Sequence, residues 1–182
     1  MLSRLFAEVY SWWKISHARR MVAEATESQA IVVEVAGKKL TLSSIRPTDI
    51  SDWTGEARFR FWKCHLQFVI FVDNSEPSVE QLEYLGRLMT SDSLSRSEIE
   101  RLIFQHYVKF VAPQSPVDWE GKPLPVARSL RQFCKTIHGP TVYIDRIEGG
   151  VPACSLEFEA DWDVEHGMIV RLADCQVETV GF

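Results

Sequence analysis

Asp161, Asp163, Glu165 and His166 lie within six consecutive positions, the densest gathering in this chain of groups able to bind a metal or move a proton. One histidine with two or three carboxylates can hold a divalent cation and leave room for a water of lowered pKa. On a strand, Asp161 and Asp163 would share a face because successive side chains alternate. Glu165 and His166 come within reach if the chain turns at Gly167. Such a centre would serve a metal-dependent hydrolase. Recognised metal spacings such as His-Glu-x-x-His are absent, however. The same residues also have a mechanical use. Asp163, Glu165 and His166 can bond backbone amides left open in a tight strand-to-strand connection, Gly167 can supply the positive φ, and Trp162 can pack outside or under the next strand. The mechanical use is favoured, with no metal and no other cofactor.

Other catalytic arrangements are missing. Cys64 and His65 are adjacent, so on a strand they point to opposite faces and cannot act as thiolate and base. No serine sits in a Gly-x-Ser-x-Gly elbow. Gly149-Gly150 leads into a strand and not into a helix that could cradle phosphate. His106 falls on an apolar helix face, where a histidine with one satisfied ring nitrogen is the expected tenant. The residues therefore favour a non-enzymatic chain.

The elements that must position these groups follow from periodicity. Residues 2 to 26 form an amphipathic helix: Leu2, Leu5, Phe6, Val9, Trp12, Trp13 and Ser16 recur at steps of three and four. This helix is expected to lie on the core, or else to dock a partner or a second copy. Ala30–Val35 and Lys39–Ser43 read as a hairpin turning at Gly37-Lys38. Residues 45 to 55 read as a loop. Ala57, Phe59 and Phe61 alternate with arginines as in a half-buried strand, and Leu66–Val72 as a central strand covered on both faces. Helices are expected from Pro77, from Ser95 (with Glu98 as a capping box) and over 126–138, the last stopped by Gly139-Pro140. A proline-rich connector, 112–125, carries Trp119. The remainder is strand: 141–147, 154–160, 168–172 and 176–180. The order implies an α+β fold, a mainly antiparallel sheet with helices on one face, preceded by the N-terminal helix. It divides into an appended helix, 1–29, and a single domain, 30–182.

Composition bounds the partners. A net charge of −5 argues against non-specific nucleic-acid binding. No apolar run is long enough to span a bilayer, and no signal peptide is evident. Four cysteines without a Cys-x-x-Cys pair suit a reducing, cytosolic compartment. Six tryptophans and ten phenylalanines suit a protein interface, with Trp12, Trp13 and Trp119 as candidate contacts. The acidic balance suits a basic partner.

Trp162-Asp163-x-Glu165-His166-Gly167 after an alternating strand, with Val177–Gly181 beyond it, resembles a bacterial family of uncharacterised proteins. Trp53-x-Gly55 and Gln105-His106-Tyr107 resemble it too, over residues 30–182. Val164 and Met168-Ile169 depart from the family's pattern. The resemblance implies an α+β domain without an established activity, similar in some members to immunity proteins that neutralise a toxin by direct contact. Self-association through the N-terminal helix is a further expectation.

Overall fold

A computed structural model describes residues 29–45, 51–72, 76–118, 121–148 and 151–181. The expected N-terminal helix, with Trp12 and Trp13, lies outside these residues, as does Trp119.

Eight strands form one sheet in sequence order: β1 Gln29–Val35, β2 Lys38–Ile45, β3 Ser51–Phe59, β4 Cys64–Val72, β5 Ile137–Glu148, β6 Val151–Ala160, β7 Asp163–Ala173 and β8 Gln176–Gly181. Every pairing is antiparallel except β4 with β5, which is parallel. A parallel pair cannot be closed by a hairpin; the connection here is residues 73–136, which hold the helices. They are few and short: α1 Val79–Thr90, α2 Arg96–His106 with a π turn at Tyr107–Val111, and α3 Leu130–Phe133.

This corrects the expected α+β, mainly antiparallel arrangement. The described residues form one mixed eight-stranded sheet, and among them strand far outweighs helix. Two misread segments account for most of the difference. Residues 51–55 are strand, because Trp53 is a buried member of β3 and Gly55 pairs with Phe68. Residues 126–138 are helical only over Leu130–Phe133. Gly139-Pro140, a cis peptide, stands inside β5 and stops no helix. The first hairpin turns one residue earlier than expected, at Ala36-Gly37, with φ of 50° and 71°. Both angles are positive, as a two-residue turn matched to strand twist requires.

Alternation sets the core. Leu66, Phe68, Ile70 and Val72 of β4 and Leu156 and Phe158 of β6 are buried, together with Tyr84, Leu85 and Leu88 of α1 and Ile99 and Ile103 of α2. The intervening residues of β4, His65, Gln67, Val69 and Phe71, are exposed or half-buried. The helices therefore sit on one face and the other is open among the described residues. The expectation that Leu66–Val72 is covered on both faces is corrected accordingly.

Gln81 fixes α1 to the parallel seam. Its side chain closes a capping box with Ser78. Its Nε2 also donates to the carbonyls of Phe71, at 2.8 Å, and Asp145, at 3.1 Å, one on each seam strand. Ser95 caps α2 by accepting from the Glu98 amide. Where α2 passes into the π turn, Tyr107 is buried and packs on Phe133 and Trp162, and its hydroxyl accepts from the Ala127 amide. Phe110 is 43% exposed, because a π turn rotates the residues beyond it off the α-helical stripe.

Candidate functional site

The knot of acidic residues is split by the turn that carries it. Asp161 and Trp162 form the two-residue connection between β6 and β7. Trp162 points inward, buried against Tyr107 at a ring separation of 5.4 Å. Asp161 points outward. Its carboxylate lies 3.0 Å from Nε2 of His138, on β5. Both side chains are about half exposed, so the pair contributes about 0–1 kcal/mol to stability.

The expected turn at Gly167 is corrected. Gly167 lies within β7, in a bulge. From Phe158↔Met168 to Ala160↔Asp163 the register advances two residues on β6 and five on β7. The extra residues lie between Asp163 and Met168 and include Glu165 and His166, whose side chains fall outside the described residues. Gly167 is buried at a φ of 66°, and a Cβ there would run into the Phe158 carbonyl oxygen. Its positive φ closes the bulge.

Beside this bulge the open face has a hollow of about 360 Å³ where β5, β6 and β7 meet. Asp161 and Asp163 line it with His138, Tyr143, Glu157 and Glu159. Glu157 and Glu159 are two apart on β6 and share its outward face. Thr141 pairs with Glu157, and Tyr143 with Ser155. The Tyr143 ring stacks on Phe71 of β4 at 5.6 Å and 15°, which fixes the phenol at the hollow's edge. Burial, followed by the negative charges of Glu157, Glu159 and Asp52, pushes its pKa up to about 12. The phenol therefore stays protonated at neutral pH beside the carboxylates.

Chemically, the hollow offers carboxylate acceptors, one histidine and one neutral phenol. That set suits a guanidinium or ammonium group, which brings only donors. Among the described residues, no three His, Cys, Asp or Glu side chains are placed to hold a metal ion. His65, also on this face, lies 3.4 Å from Glu56 and both are exposed.

The structure thus brings Asp161 and Asp163 together and places Trp162 in the core. His138, Tyr143, Glu157 and Glu159 were missed from the sequence. The alternation of Glu157 and Glu159 was visible. His138 was hidden by its assignment to a helix end. His106 is half-buried against Phe110, with ring centres 4.6 Å apart. Its pKa is lowered by burial first and by Lys109 second.

Comparison with known proteins gives one family. Residues 19–182 match the model of a domain of unknown function, DUF6985. No curated protein matches the chain, and no solved structure matches it.

Proposed function

The chain belongs to the DUF6985 family, and we propose that it is a non-enzymatic binding domain that receives a basic segment of a protein partner in the acidic hollow. The observation that carries this reading is the hollow itself. Four carboxylates and a neutral phenol converge on one concave corner of a sheet face that the described helices leave open. Several carboxylate acceptors gathered at one concavity are what an arginine of a partner requires for forked hydrogen bonding. The stacked Phe71 and Tyr143 rings add a flat, half-buried aromatic floor of the kind that anchors interfaces. An immunity-type role, neutralising a basic toxin surface by direct contact, is a specific form of this proposal. The four cysteines are free thiols, which supports a cytosolic setting.

Calorimetric titration of a hexa-arginine peptide into the whole chain tests the reading. Binding is expected to weaken at least tenfold in Glu157→Lys/Glu159→Lys. It should change less than twofold in Glu80→Lys/Glu98→Lys, which has the same net charge but alters exposed helix positions away from the hollow. Equal weakening in both variants would reduce the effect to overall charge and overturn the site.

A further inference from the structure

A second concavity, of about 710 Å³, runs beside α1 against the turn between β1 and β2. Val35 and Ala36 form its floor, and Val79, Leu82 and Gly86 of α1 its wall. These helix positions follow steps of three and four, so the groove tracks α1, whose twelve residues span ~18 Å. Val79 is 66% exposed, an apolar side chain held at the groove's rim. The remaining rim is acidic, with Glu34 and Glu83 against a single Arg87.

We propose that this groove seats the chain's own N-terminal segment, residues 2–16. Its length fits. Leu2, Leu5, Phe6, Val9, Trp12 and Trp13 give one apolar stripe over twelve residues, which in helical form is ~18 Å long and matches the length of α1. Its charge fits as well. Arg4, Lys14, Arg19 and Arg20 accompany a single Glu8 through residue 20, facing an acidic rim. The tether reaches. Residue 28 immediately precedes β1, and the seven residues of that strand carry the chain ~20 Å to the groove floor. Residues 17–28, which extend to ~40 Å, can return that distance. β1 is an edge strand bonded only to β2, so no further strand bars the path.

Fluorine NMR of the whole chain labelled with 5-fluorotryptophan tests the proposal. The six signals are assigned by single Trp→Phe variants. At low micromolar concentration, Trp12 and Trp13 are expected to show less than half the solvent-isotope shift they show in urea. Val79→Asp, and independently Glu83→Arg, should bring both signals to the denatured value. Both positions are exposed, and unchanged signals from Trp53, Trp62 and Trp162, all buried, report that the fold is intact. Three results would overturn the proposal: Trp12 and Trp13 solvent-exposed in the unaltered chain, protection indifferent to both substitutions, or protection lost on dilution with a halving of mass. The last result would assign the segment to a second copy.

Discussion

Gly167→Ala isolates the backbone device that shapes the hollow. Two glycines share nearly the same conformation, Gly167 at φ 66° and Gly37 at φ 71°. An L-side chain in this region costs ~1–2 kcal/mol at either position. Nothing lies within 4 Å of a Cβ at Gly37, so Gly37→Ala should lose that amount alone. At Gly167 a Cβ meets the Phe158 carbonyl oxygen and stands 3.2 Å from its carbon. Both are backbone atoms, so β6 must move. Forced repacking of that kind adds ~1–3 kcal/mol, for a total of about 2–5 kcal/mol. That is a large part of the ~5–15 kcal/mol that holds a domain folded. Urea unfolding followed by tryptophan emission measures both variants. The midpoint should fall two to three times further for Gly167→Ala, with unchanged slope. Equal losses would refute the close β6–β7 contact and with it the bulge geometry.

Three further outcomes are expected. Gln81→Leu keeps the volume but removes the hydrogen bonds to Phe71, Asp145 and Ser78; at ~1 kcal/mol each it should cost about 2–3 kcal/mol in urea unfolding, whereas the exposed Gln67→Leu costs under ~0.5 kcal/mol. Burial pushes the pKa of Tyr143 up to about 12, against about 10 for a free phenol; the folded state therefore holds its proton more tightly than the unfolded state, and the contribution to stability, complete below about pH 10, is lost as pH rises through about 12. Ultraviolet titration should show late phenolate ionisation, to which Tyr84, also raised chiefly by burial, contributes; Tyr143→Phe should remove one phenol's amplitude from it, and Glu157→Gln should shift that amplitude to lower pH. A thiol reagent at pH 8 should find one fast group, Cys64, which is exposed; Cys154 and Cys175, whose pKa values are raised chiefly by burial, should react only on unfolding, and Cys64→Ser should abolish the fast phase.

Much of the strand content was legible because one-sided burial leaves a period of two. Ile31 to Val35, Ala57 to Phe59 and Cys154 to Ala160 carry that signal. Trp53 and Gly55 did not, because glycine, threonine and aspartate around them resemble a loop while tertiary pairing with β4 decides their state. The stretch from Val126 to His138 has helical spacing, but its residues are divided between α3 and the start of β5. The parallel seam was not legible, since register across a crossover depends on contacts distant in sequence such as Gln81 with Asp145. Of the candidate site, Asp161 and Asp163 were found by density of charge. The partner of Asp161, His138, lies 23 positions away and is brought there by strand pairing alone.

The central claim is that the open face of the sheet, at its acidic corner, is the surface that meets a basic partner. Amide-resolved NMR of the whole chain titrated with the hexa-arginine peptide tests it most directly. The account predicts saturable shifts confined to Thr141, Tyr143, Glu157, Glu159 and Asp161, with no change along α1 or α2. Shifts spread evenly over the acidic surface, or concentrated on the helix-covered side, would contradict it.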